Sequence, residues 1–119
     1  MTQRTVPNCI FCRIASGEIP TDIVAESASS IAFRDLEPQA PTHILVVPRR
    51  HIAALRDVGV ADADLIGDLI LLVRRVAERE GLFAGGYRVI TNDGPDAGQS
   101  VHHLHFHVLG GEPLAVPLR

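Results

Sequence analysis

The chain lacks the uninterrupted run of about 18 apolar residues that a bilayer-spanning helix needs, and its first nine residues hold no hydrophobic segment of a secretory kind. A cytoplasmic protein with no membrane partner is expected. Basic clusters are missing as well: the net charge is −3, which gives no general attraction to nucleic acid, so any bound anion must be held by local groups. No G-x-G-x-x-G stretch and no Walker pattern occurs, which leaves neither a Rossmann nor a P-loop site, and no organic cofactor is expected. Repeats, low-complexity tracts and linkers are absent. At 119 residues there is chain for one core and not two, so residues 1–119 read as a single domain. Cysteine is scarce. Only Cys9 and Cys12 occur, so no disulfide framework supports the fold, and in a reducing cytosol the pair is left with metal, redox or packing roles.

Histidine, by contrast, is concentrated. Of six histidines, four fall within residues 102–107, where His103, His105 and His107 alternate with Leu104, Phe106 and Val108. In a strand, successive side chains point to opposite faces, so this spacing predicts one face of imidazoles and one of core. With a rise of ~3.3 Å per residue, alternate rings would stand roughly 6 to 7 Å apart and the outer two about 13 Å apart. Three such rings cannot share one metal ion. They suit an extended polar ligand such as a phosphate ester, with one imidazole attacking and its neighbours donating hydrogen bonds.

The flanking sequence divides into short elements. Ile10, Phe11 and Ile14, ahead of Gly17 and Pro20, predict a short helix over residues 9–19. Residues 23–36 alternate in polarity on either side of a Ser-Ala-Ser break, which predicts a two-stranded hairpin. Pro38-Gln39-Ala40-Pro41 is a stiff connector, because two prolines fix φ and remove donors. A further strand spans residues 43–47. Over residues 62–80 the apolar positions Leu65, Ile66, Leu69, Ile70, Leu72, Val73, Val76 and Ala77 recur at threes and fours, the pattern of one long amphipathic helix packed on a sheet. Asp62 and Asp64 suit its positive end, Arg74, Arg75 and Arg79 its negative end, and Gly81 its stop. Residues 87–91 form another strand. The connection from Asn92-Asp93-Gly94-Pro95 to His103 is longer than a hairpin requires. It reads as a binding loop, in which Gly94 and Gly98 let backbone N–H groups approach a ligand and Asn92, Gln99 and Ser100 offer neutral donors; the alternative is a solvated loop. The element order predicts an α+β domain with an antiparallel meander.

The motif His103-Leu104-His105-Phe106-His107-Val108-Leu109 resembles the signature of the histidine triad (HIT) family, in its Hint-type branch of nucleotide-binding phosphoramidases. The likeness extends to Cys9-Ile10-Phe11-Cys12, Gly17-Glu18-Ile19-Pro20, Ala32-Phe33-Arg34-Asp35, Pro38-Gln39-Ala40-Pro41-Thr42-His43, Gly98-Gln99-Ser100-Val101 and Gly110-Gly111. Together these pieces run along nearly the whole chain in order. The resemblance implies a HIT-like fold: an antiparallel five-stranded sheet with one long helix and a short N-terminal helix. It implies a homodimer acting on small purine nucleotides, derivatives of AMP or GMP. His105 would be the nucleophile that forms a covalent nucleotidyl-imidazole, His107 would bond the phosphoryl oxygens or leaving group, and His43 would support the site. Asn92, Gly98, Gln99 and Ser100 would hold phosphate and Asp35 the ribose hydroxyls. Ile10, Phe11, Ile19, Phe33 and Leu36 would form an apolar slot for the base, each being equally serviceable as core.

By spacing, one C-x-x-C supplies half of a structural zinc site. Some bacterial HIT proteins, and the related galactose-1-phosphate uridylyltransferases, are similar in pairing it with two histidines. Here those would be His51 and His103, so that structural Zn2+ is the implied cofactor and His103 becomes an anchor; the alternative is a reduced core pair of thiols. Three features depart from the family pattern: Arg34 stands where relatives carry histidine, His102 where an aromatic is frequent, and residues 112–119 lack an aromatic ending. The last leaves leaving-group preference open. Two rival functions stay in view: a nucleotide-binding regulatory module with little turnover, and a metal-dependent hydrolase using the His103–His105 pair as ligands.

Overall fold

The computed structural model describes residues 6–114; the end of the tail, residues 115–119, lies outside them. Runs rich in apolar and β-branched residues form β1 (Ile23–Glu26), β2 (Ser30–Arg34), β3 (Thr42–Pro48), β4 (Tyr87–Ile90) and β5 (Phe106–Gly110), with helices α1 (Ile10–Ala15) and α2 (Ala63–Arg79). The predicted α+β class and five-stranded antiparallel sheet are found. The meander is not. The strand order is β1-β2-β3-β5-β4, so β5 lies between β3 and β4 and pairs with both. Alternation fixes which face a residue takes and leaves open which strand becomes its neighbour, so the chain's return from β4 into the gap beside β3 had no local signal.

Each face of the sheet carries its own core. On one side α2 lays Leu69, Leu72, Val73, Val76 and Ala77 against Ala32, Ile44, Val46 and Val108. On the other, Phe11 and Ile14 of α1 pack on Ile31, Phe33, Leu45 and Val47. The second layer is thin, and that is where polar side chains find room. α2 matches its sequence signals closely: Asp62 precedes it, and Gly81 follows with φ +74°, a left-handed conformation that closes the helix through Leu82 N–H on the Ala77 carbonyl at 2.9 Å. Asp68 ties α2 to the β1–β2 turn by accepting from the hydroxyls of Ser27 (2.5 Å) and Ser29 (2.7 Å). Arg34, the departure from the family pattern, forks onto Glu80 at 3.0 and 3.1 Å and so is held at the helix end rather than in the site. Among the described residues no helix is long and apolar enough to cross a membrane.

Two predicted boundaries were too generous. α1 ends at Ala15, where backbone N–H groups of residues 16–19 fold back onto the last turn's carbonyls instead of extending it. β5 begins only at Phe106, so His103 and His105 precede the strand expected to carry them.

Candidate active site

The register of β3 against β5 brings the imidazoles together. Leu45 faces His107 across the ladder and His43 faces Leu109, so both histidines project on the α1 side of the sheet, diagonal to each other. Their rings meet directly, with His43 Nε2 at 2.8 Å from His107 Nδ1. His43 is buried, and its Nδ1 accepts the backbone N–H of Gln39 at 3.0 Å. An oxygen of Asp35 stands 3.5 Å from His43 Nε2, while the other accepts the Glu37 N–H at 2.8 Å. Burial pushes His43 below its ordinary value against the pull of the Asp35 charge. Burial, then the neighbouring His105 and His43, pushes His107 down to about 4, so both rings are neutral near pH 7.

His105 sits beside this pair, its ring centroid 5.1 Å from that of His107, closer than a regular strand spacing allows. Its Nδ1 lies 2.7 Å from the carbonyl oxygen of His103. A carbonyl only accepts, so Nδ1 carries the proton and Nε2 keeps its lone pair, which is the form a nucleophile needs. The backbone there is held firmly: Thr91 donates its hydroxyl to the His105 carbonyl at 2.8 Å, and buried Leu104 bonds the Ile52 carbonyl at 2.6 Å through its N–H. Phe11 closes one side of the His105 ring edge-on at 5.1 Å.

His103 faces elsewhere. Its Nε2 donates to the Pro48 carbonyl at 2.8 Å, and its Nδ1 lies 3.2 Å from Cys9 Sγ and 3.5 Å from Cys12 Sγ. His51 Nδ1 is 3.4 Å from Cys12 Sγ, and the four ligand atoms lie within 4.8 Å of one another. In tetrahedral zinc sites, sulfur and nitrogen ligands stand about 3.5 Å apart. The donor set therefore fits a metal ion, and the Pro48 carbonyl supplies the outer bond that orients a ligating histidine. Burial pushes the Cys12 thiol up, a cost that cation binding would offset. With both His103 nitrogens committed in this way, a catalytic metal shared by His103 and His105 has no geometry to support it.

The other expected residues divide. Asn92 lines a cleft of about 340 Å3 together with Gln39, His43, Arg88, His107 and Leu114. A larger cavity of about 600 Å3 lies along β4 at Gly85, Gly86 and Tyr87 and has no imidazole in its lining, whereas His43 and His107 line the smaller one. Gln99 spends its amide on the loop itself, accepting from Gly94 N–H and donating to the Ala53 and Val101 carbonyls, so it braces the loop and is not available as a phosphate donor. Gly98, at φ +79°, makes the left-handed turn that this bracing requires. Ser100 and His102 line a separate hollow with Cys9, Ile10 and His51. Phe11 and Phe33 meet edge to face at 5.5 Å with Ile19 packed alongside, whereas Ile10 and Leu36 turn outward, Leu36 being 88% exposed. Sequence reading missed Thr91 and the backbone groups of Gln39 and Pro48. Main-chain donors and acceptors leave no mark in residue identity.

The fold and its facing imidazoles define a small α+β protein with a histidine-built site. The model of the HIT domain matches residues 16–114, and the chain belongs to that family. A purine nucleoside phosphoramidase of Escherichia coli is 45% identical over 105 residues, 88% of each chain. An uncharacterized HIT-like protein of Synechococcus elongatus is 50% identical over 108 residues, 91% of this chain and 94% of its own. Among solved structures, a HIT family hydrolase from Legionella pneumophila superposes with a TM-score of 0.89 at 44% identity, covering 92% of this chain and 98% of that one.

Proposed function

We propose that this protein hydrolyses purine nucleoside 5′-phosphoramidates or related nucleotidyl esters through a covalent intermediate on His105. The observation that carries the reading is the Nδ1 bond of His105 to the His103 carbonyl, which leaves Nε2 bare beside the His107 ring. Nε2 attacks the α-phosphorus, and the P–N or P–O bond to the leaving group breaks as that group takes up a proton. Water then cleaves the new P–Nε2 bond, giving the nucleoside monophosphate and the free ring. His107 donates to the phosphoryl oxygens or leaving group, His43 supports it, and Asn92, which lines the same cleft, borders the phosphate. Asp35 keeps one oxygen for the ribose; Phe11, Ile19 and Phe33 form the floor under the base, with Leu36 and Ile10 at its rim. The name of the E. coli relative supports the substrate class.

Cys9, Cys12, His51 and His103 would hold Zn2+. Four protein ligands close its coordination, so the ion would supply structural cross-linking only. A homodimer is part of the proposal: β4 is an edge strand with Tyr87 and Val89 partly exposed, and a second copy would cover it.

The test is intact mass of the protein mixed with an adenosine phosphoramidate and quenched in mild base. An added nucleotidyl group is expected on the wild type and none on His105→Ala. Product formation with no adduct under single-turnover conditions overturns the covalent route.

A further inference from the structure

We propose that the backbone N–H of Gln39 sets the direction of the proton chain through His43 and His107, making Gln39 a positioning residue of the site. A neutral imidazole has one donor nitrogen and one acceptor nitrogen, so fixing either end fixes the other. The Gln39 N–H lies 3.0 Å from His43 Nδ1 and can only donate, so His43 Nδ1 must be the acceptor and Nε2 must carry the proton. His43 Nε2 lies 2.8 Å from His107 Nδ1, closer than the 3.5 Å to the Asp35 carboxylate. Two N–H groups cannot face each other at that distance, so His107 Nδ1 accepts and His107 Nε2 bears hydrogen. One main-chain amide thereby turns the outer nitrogen of His107 into a donor, opposite in sense to His105, whose outer nitrogen is an acceptor.

The same logic disposes of a competing reading of these groups. Asp35, His43 and His107 offer ligand atoms within 4.8 Å of one another, a spacing a metal ion could use. A ligating His43 Nε2 would have to move its proton to Nδ1, where the Gln39 N–H already points. The cluster is a proton chain. The Pro38-Gln39-Ala40-Pro41 segment gains a purpose from this: its two prolines stiffen the loop that aims the amide.

The inference deepens the reading of His107 as donor, and its first measurement needs no substrate, so the two can fail separately. In uniformly 15N-labelled protein, ring 15N shifts should report Nε2–H forms for His43 and His107 and the Nδ1–H form for His105. A 15N–15N coupling across the hydrogen bond should connect the Gln39 amide to His43 Nδ1. Gln39→Pro deletes the N–H, whereas Gln39→Ala keeps it. The expectation is mixed tautomers at His43 and His107 in Gln39→Pro and a kcat lowered by up to about 100-fold with KM held, the low end of what a positioned proton donor contributes. Gln39→Ala, which keeps the N–H, should keep the Nε2–H tautomers of the wild type at His43 and His107. If His43 carries its proton on Nδ1 in the wild type, or the coupling is missing, the proposal is overturned whether or not the proline variant folds; pure Nε2–H rings in a folded Gln39→Pro overturn it equally. Absence of a nucleotidyl adduct with the tautomers as stated would instead reject only the catalytic reading.

Discussion

Each ring in the site has a different second partner, and that partner decides what the ring can do. His103 gives one nitrogen to Pro48 and turns the other to the cysteines, while His105 gives one to a carbonyl and keeps the other bare. His105→Asn should therefore lower turnover by at least about 100-fold with little change in stability, read by steady-state rates beside a denaturation curve. His107 gives a pH prediction. Folding lowers its proton affinity from the ordinary 6.5 to about 4, so the unfolded chain binds the proton more tightly. The stability contributed by a neutral His107 is complete above 6.5 and drains away as pH falls towards about 4. Urea midpoints measured across that window should decline with acid, and His107→Asn should flatten the decline; an unchanged slope contradicts the assignment. At this scale residue types were legible in the sequence, and the family resemblance supplied Cys9, Cys12 and His51 as partners of His103, but the main-chain partners were not legible. The alternation of histidines announced the site, yet nothing in it separated His103 from His105, because the difference lies in where a bend before β5 turns each ring.

At the scale of elements, α2 was legible almost to its last residue, since its apolar stripe, acidic start and Gly81 stop all act within one or two turns. β5 was legible as a strand but not in position or extent. Its place beside β3 depends on pairings between residues sixty or more positions apart in the chain, which no local pattern encodes. The junction of α2 with the β1–β2 turn offers a test. Burial alone would raise the Asp68 carboxyl, but hydrogen bonds from Ser27 and Ser29 outweigh it and lower it. Asp68→Ala removes the acceptor those hydroxyls share and should cost about 2 kcal/mol, the usual worth of hydrogen bonds to a charged group. A chemical denaturation series on Asp68→Ala and Ser29→Ala checks it, the serine variant losing less.

For the whole molecule, two cross-links beyond the sheet are expected to matter. The Cys9, Cys12, His51 and His103 cluster joins α1 to the chain after β3 and to the approach to β5. Stripping metal with a chelator should lower the melting temperature by several degrees, as a loss of about 1 kcal/mol or more would do in a domain of this size, while the His105 adduct still forms on the fraction that remains folded. Complete loss of the adduct from chelated but folded protein would favour metal-dependent chemistry. The second is the pairing of two copies. Val89→Arg on the open edge of β4 should convert a dimer to a monomer in sedimentation, and a monomeric wild type contradicts the pairing.

The insertion of β5 between β3 and β4 also orders events in time. During synthesis β3 is made early and must wait with one ladder edge open, through the whole of α2 and β4, until residues 106–110 arrive to fill it. Pairing so distant in sequence is slow to nucleate. A ribosome that stalls before Phe106 releases a chain with two bare strand edges and a half-built site, prone to stick to its neighbours. The strand that brings His107 against His43 also closes the sheet, so the imidazole cluster and the fold are completed together.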